Sequence, residues 1–186
     1  MKKLAALMLI FALMLTAATA LADTTQTFDD FSITIPDNQT VELGTKANNE
    51  VLLTVYGEQS EGGITANMNI VWVDEYMDVS SQDLTEMGKF MSDNTVQGME
   101  SIGIVVTDVE VIDTALNNIG GKPAIMTAYT YNADYTGIGV DLNTPMATIQ
   151  AIVSEQGIGT YIITMGAEDM DRVLELAQTA DTISWK

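Results

Sequence analysis

The chain contains no cysteine and no histidine among its 186 residues. Without cysteine it forms no disulfide and offers no thiol nucleophile, so its stability depends on the burial of a core. Without histidine it lacks the commonest general base and the commonest zinc and copper ligand. Ser-His-Asp and Cys-His catalysis are therefore excluded, and carboxylate, hydroxyl, lysine or oxygen-ligated metal chemistry remains.

The first 22 residues have the pattern of an export signal. Lys2 and Lys3 precede an apolar run, residues 4–15, that is too short to span a bilayer comfortably, and Ala20-Leu21-Ala22 is a small-x-small cleavage pattern. We therefore expect residues 1–22 to be a cleaved signal peptide and residues 23–186 to form one domain. The position after the cut is Asp23 rather than a lipobox cysteine, and no later apolar stretch reaches about 18 residues. The mature protein is expected in the periplasm or the medium, with no transmembrane segment, unless the signal stays uncleaved as an anchor.

Basic residues are scarce. Removal of the leader leaves five of them against 26 acidic residues, a formal net charge of −21. Such a surface repels nucleic-acid phosphates and anionic lipids, so the expected partner is a basic protein or peptide and not a nucleic acid. The same charge is also compatible with a purely solubilising role.

Alternating apolar residues predict strands. Residues 31–35 and, around a glycine-rich turn at 58–63, residues 51–57 and 64–73 have this period, and the last two runs indicate a β-hairpin. Residues 23–30 are interpreted as a polar lead-in. Further strands are predicted, the later ones in a meander, over residues 102–112, 124–131, 146–155 and 160–165.

Two segments change to helical spacing. Leu84, Met87 and Met91 predict a helix over about 80–99, with Ser80 and Asp83 in a capping-box arrangement. A second helix is predicted from about residue 167, and residues 183–185 are predicted to add a closing strand. The order of elements indicates an α+β protein.

Particular segments of this order resemble the PsbP-like family. They are Phe31-Ser32-Ile33-Thr34-Ile35-Pro36, Gly121-Lys122-Pro123-Ala124, Gln150, Gly159-Thr160-Tyr161-Ile162-Ile163 and Ile183-Ser184-Trp185. The resemblance covers roughly residues 28–186. This family includes photosystem II extrinsic subunits, Mog-type nuclear-transport regulators and many exported bacterial proteins.

The resemblance implies an antiparallel sheet flanked by helices, as an α/β/α sandwich. It also implies an accessory or assembly role rather than catalysis. These segments are strand and turn signatures, so no functional residue of the family is carried over to this chain, and a shared fold does not transfer function.

Two stretches have oxygen side chains that could hold a metal ion. Asn132, Asp134 and Thr136, followed by Gly137, are spaced like the start of a calcium loop, but the twelfth position is Asn143 rather than glutamate. A polar hairpin tip is the favoured interpretation. The second stretch contains Asp74, Glu75 and Asp78, which either bind Ca²⁺ or Mg²⁺ or form a solvated connection to the helix.

Two functions remain open on the sequence. The first is an exported, non-enzymatic accessory or binding protein that engages a protein partner and needs no cofactor. The second is an exported hydrolase that uses carboxylates or a metal ion. Three or more carboxylates in one buried, concave pocket would favour the hydrolase, whereas an even spread over the surface favours the binding protein.

Overall fold

The computed structural model describes residues 23–186, and the predicted signal peptide lies outside them. Ten strands and two helices make up most of this part of the chain. The strands are β1 (Thr24–Thr27), β2 (Phe31–Ile35), β3 (Thr40–Leu43), β4 (Glu50–Gln59), β5 (Thr65–Val73), β6 (Val105–Ile119), β7 (Lys122–Asp134), β8 (Asn143–Glu155), β9 (Gly159–Ala167) and β10 (Ser184–Trp185). The helices are α1 (Leu84–Ser101) and α2 (Met170–Ala180), with short 3₁₀ turns at Val79–Ser81 and Thr136–Ile138.

The strands form two antiparallel sheets. The large sheet has the order β3-β4-β5-β9-β8-β7-β6, and the small sheet has the order β1-β2-β10. The predicted hairpin is β4–β5, and the predicted meander is the run of neighbours β6, β7, β8 and β9. Both predictions are confirmed.

Each face of the large sheet is covered by one helix. On one face α2 packs together with the small sheet, and the buried side chains there include Phe31, Ile33, Met68, Ile163 and Leu176. On the other face α1 buries Met87 and Met91 against Ile125 and Ile152. The α+β class is confirmed. The α/β/α sandwich describes the molecule only in part, because the small sheet shares a face with α2.

The start of helix α1 and the N-terminal lead-in both differ from prediction for local reasons. Helix α1 begins at Leu84, because the N-cap is Asp83, whose carboxylate accepts from the Glu86 N–H at 3.0 Å. The predicted capping box on Ser80 is wrong. The predicted lead-in contains β1, whose threonines pair with β2.

Strand β6 continues to Ile119, beyond the end of the strand predicted over residues 102–112. The chain reverses only at Gly120 and Gly121, which both have positive φ. A Cβ at Gly120 would collide with the Ile183 carbonyl oxygen, so glycine is required by space as well as by backbone conformation. Neither of the described helices is both long and apolar enough to cross a membrane.

Candidate protein-binding surface

The acidic residues lie at the surface of the described part of the chain. Its buried polar residues are all serine or threonine, namely Thr54, Ser92, Thr127, Thr144, Thr148, Thr160 and Thr179. Within residues 23–186, no three acidic side chains converge closely enough to hold a metal ion.

Two of the candidate metal ligands cap turns with their carboxylates. Asp78 Oδ1 accepts from the Ser80 hydroxyl at 2.7 Å and from the Ser80 N–H at 3.1 Å, and these hydrogen bonds lower the pKa of Asp78. Asp134 Oδ1 accepts from the Thr136 N–H at 2.9 Å, and hydrogen bonds from Thr136 lower the pKa of Asp134. Each carboxylate thus already has donors from its own segment.

The other candidates are tied to the fold mainly through their backbones. The Asp74 N–H donates to Asn48 Oδ1 at 2.8 Å, and the Glu75 carbonyl accepts from the Thr160 hydroxyl at 2.6 Å. Asn132 lies in β7, where its side-chain amide donates to Asp108 Oδ2 at 2.8 Å. Calcium binding by either stretch stays a prediction.

One surface cavity lies beside α2. Its volume is about 250 Å³, and it is lined by Pro36, Gln39, Glu58, Arg172, Glu175 and Leu176 among others. Pockets for small ligands usually measure about 300–1,000 Å³ and are mostly apolar. Within this cavity the Arg172 guanidinium donates a hydrogen bond to the Glu58 backbone carbonyl at 3.2 Å. One donor of this guanidinium is therefore already used within the protein.

Asp30 is the centre of a charged cluster at the end of the small sheet. Its Oδ2 pairs with the Lys46 ammonium and accepts from the Tyr161 hydroxyl at 2.5 Å. The Lys186 N–H donates to the Asp30 carbonyl at 2.9 Å. Burial acts to raise the pKa of the Asp30 carboxyl, but the hydrogen bonds from Lys46 and Tyr161 outweigh it and leave that pKa below its usual value.

Aromatic rings surround this cluster. The Lys46 ammonium lies 4.6 Å from the Trp72 ring centroid, and Lys122 lies 5.2 Å from that of Trp185. The Trp185 ring is 5.2 Å from Tyr161, and its Nε1 donates to the Ile119 carbonyl at 2.7 Å. The charged and polar groups are satisfied by one another, so the cluster joins the two sheets rather than offering a vacant site.

Strand β6 carries half of the exposed large apolar side chains of the described residues. Five of the ten are on this strand, with exposures of 40–56%: Val105, Val109, Val111, Ile112 and Leu116. Single exposed apolar residues are ordinary, but a concentration on one element marks an interaction surface. We call this exposed side of β6, residues 105–119, the β6 edge.

The β6 edge is an unpaired sheet margin. Among residues 23–186, β6 is the last strand of the large sheet and pairs with no strand other than β7. The opposite margin, β3, is four residues long, whereas β6 has fifteen. Short edge strands are a common protection against unwanted pairing, and β6 lacks that protection. Helix α1 packs against one face of β6, where a Cβ on Gly88 would meet the Thr114 side chain.

Two irregularities divide β6. The register with β7 shifts between Thr107 and Glu110 and again between Val111 and Asp113, and Asp108 has a positive φ of 54°. Such bulges add twist and re-aim side chains. From Asp113 to Ile119 the register is continuous, so this half of β6 is a regular strand.

The charge of the β6 edge has one sign. Asp108, Glu110 and Asp113 alternate with or flank its apolar residues, and the strand contains no lysine or arginine. The surface is therefore both apolar and acidic. Sequence reasoning predicted a strand here but did not predict its exposure.

The fold is similar to that of three solved structures. The solution structure of cyanobacterial PsbP (CyanoP) from Synechocystis sp. PCC 6803 matches with a TM-score of 0.58 and 11% identity, over 94% of this chain and 99% of that chain. The Saccharomyces cerevisiae Ran-binding protein Mog1p matches with a TM-score of 0.45 and 15% identity, over 87% and 94%. A protein of unknown function from Pseudomonas aeruginosa, PA94, a putative regulator, matches with a TM-score of 0.42 and 13% identity, over 87% and 95%.

No protein-family model and no curated protein matches the sequence. The likeness to cyanobacterial PsbP shows that the chain has a PsbP-like fold, as the strand and turn segments indicated. At this identity the likeness concerns the fold alone.

Proposed function

We propose that this chain is an exported, non-enzymatic accessory protein that binds a protein partner through the β6 edge. The observation that carries the proposal is the concentration of exposed apolar side chains on one long, unpaired edge strand. Left uncovered, such a strand invites aggregation, so a protein that keeps one has a use for it.

A non-enzymatic role is supported by the distribution of reactive groups. The chain has no histidine or cysteine. The Asp30 carboxylate, the most engaged of the acidic groups described above, already accepts from Lys46 and Tyr161. The alternative, an exported hydrolase that uses carboxylates or a metal ion, needs free carboxylates gathered around a substrate.

Export is the second part of the proposal. The leader at residues 1–22 and a single mature domain at 23–186 predict that the exported protein begins at Asp23. Intact-mass measurement on protein from the extracytoplasmic fraction is expected to give the mass of residues 23–186. Recovery of the full-length chain from the cytosol alone would contradict export.

The binding surface is tested by site-specific photo-crosslinking in the exporting cell. A benzoylphenylalanine in place of Ile112 is expected to form an adduct with a partner protein, because this position is 56% exposed on the β6 edge. The matched control is the same group in place of Leu43, which is 54% exposed on the opposite margin β3 and is expected to give no specific adduct. Equal adducts at both positions, or none at Ile112, would contradict the proposal.

A further inference from the structure

We infer that the β6 edge binds an extended, basic segment of its partner, which adds to the large sheet as an eighth strand. The inference rests on the proposed function and specifies the chemistry of the partner. It is argued from three features of β6: its backbone, the sign of its charges and the position of its bulges.

The backbone that an added strand could pair with lies along the regular half of β6, where the Asn118 N–H already donates to the neighbouring Asn117 Oδ1 at 2.8 Å. From Asp113 to Ile119, seven consecutive residues pair with β7 in one register. In an antiparallel strand alternate residues turn their N–H and C=O groups to the other side, where an added strand can pair with them. Seven residues at about 3.3 Å each give a pairing length of roughly 23 Å.

The charges decide which strand fits. Asp108, Glu110 and Asp113 line the edge, without a base on β6 to neutralise them. Five basic residues follow the leader, and three of them lie in or beside the cluster around Asp30 instead. These three are Lys46, Lys122 and Lys186. A segment that alternates lysine or arginine with β-branched residues would place opposite charges and apolar side chains against this edge.

The same charges argue against a second copy of this chain. Pairing two β6 edges would bring six β6 carboxylates into one contact, and neither strand carries a lysine or arginine to balance them. Each copy would also carry its own large negative charge into the contact. A basic partner removes both penalties.

The bulges set where the added strand lies. The positive φ at Asp108 and the two register shifts interrupt the ladder at residues 108–109 and 112, and leave only Glu110 and Val111 paired with β7 between the bulges. Backbone pairing is therefore confined to residues 113–119. Val109, Val111 and Ile112 provide a neighbouring apolar surface for the side chains of the same segment.

The probes are three nine-residue peptides with blocked ends. One alternates lysine and valine, the second alternates glutamate and valine, and the third is the lysine peptide with N-methyl groups on every second residue, which blocks backbone pairing. Binding to residues 23–186 is measured by fluorescence anisotropy at 0.15 M salt, where distant charges are largely screened. We expect the lysine peptide to bind, the methylated peptide to bind at least tenfold more weakly and the glutamate peptide not to bind.

Hydrogen exchange locates the bound peptide. The lysine peptide is expected to slow amide exchange within residues 113–119 and not within β3. The double variant Glu110→Lys/Asp113→Lys is expected to weaken binding at least tenfold. Its control, Glu175→Lys/Asp181→Lys, makes the same change in net charge in the middle of α2 and at its C-cap, and is expected to leave the affinity within twofold.

Three results would overturn the inference. They are no binding of the lysine peptide, equal binding of the methylated peptide, and a dimer joined through β6 in sedimentation equilibrium. None of these decides the proposed function, which depends on the adduct formed from position 112. If position 112 forms an adduct but the lysine peptide does not bind, the β6 edge is a protein-binding surface whose partner is not a basic strand.

Discussion

Replacing Phe31 by alanine is expected to lower the free energy of unfolding by about 3–5 kcal/mol. The ring is fully buried, and its centroid lies 4.7 Å from that of Phe28, 5.5 Å from Tyr161 and 5.4 Å from Trp185. These contacts hold the small sheet against the large one, so their loss leaves a cavity at the junction. Urea unfolding followed by tryptophan fluorescence measures the change, because Trp185 is part of the same cluster.

Phe90→Ala is the matched control for this change. Phe90 lies on α1 with 52% of its surface exposed, and its removal is expected to change the free energy of unfolding by no more than about 0.5 kcal/mol. If the two alanine variants were equally stable, the packing of the small sheet described here would be wrong.

Replacing Asp30 by alanine is expected to cost about 2–3 kcal/mol of unfolding free energy, because a hydrogen bond to a charged group contributes about 1.5–3 kcal/mol. The substitution removes the acceptor that the Lys46 ammonium and the Tyr161 hydroxyl share. The Asp30 side chain is only 20% exposed, so water replaces this acceptor incompletely. That residual exposure is why the estimate falls below the cost of breaking a fully buried ion pair. Asp29→Ala, next to it and exposed, is the control and is expected to have little effect.

The effect of Asp30→Ala depends on pH with a definite sign. The pKa of Asp30 is lower in the folded protein than in the unfolded chain, where it lies near 3.8. The ionised carboxylate therefore stabilises the fold above that value, and this stabilisation is lost as the pH falls through the folded pKa. The difference in unfolding free energy between the wild type and Asp30→Ala is expected to be constant above about pH 5 and to shrink below it. A difference that grew on acidification would contradict the Asp30 assignment.

Strands and helices were predictable where one periodic signal was undisturbed. Phe31 to Ile35 alternates cleanly and forms β2 with the predicted bounds. Strand β1 was not predicted, because Thr24–Thr27 is mostly exposed and its sequence does not alternate apolar with polar residues. The start of α1 was misplaced because the capping-box pattern puts the N-cap at Ser80, whereas Asp83 is the residue whose carboxylate accepts from the Glu86 N–H.

The candidate surface was beyond sequence reasoning for a different reason. The alternation in residues 102–112 predicts a strand, but whether Val109 and Ile112 are covered depends on the position of that strand in the sheet. Sheet order is set by contacts between distant segments, as is the meeting of Asp30 with Tyr161 across 131 positions. The scarcity of lysine could have drawn attention to Lys46 and Lys122, although it could not have named their partners.

The large sheet contains one pair of neighbouring strands that are far apart in the sequence. All its neighbouring strands are consecutive along the chain except β5 and β9, whose pairs, from Val73↔Thr160 to Asn67↔Gly166, join residues 87 to 99 positions apart. Closing so long a loop is slow compared with forming the hairpins on either side. A chain that emerges from a membrane N-terminus first thus exposes β5 as a temporary open margin until β9 arrives. If the chain is exported as proposed, its folding can be completed only after nearly the whole polypeptide has crossed the membrane.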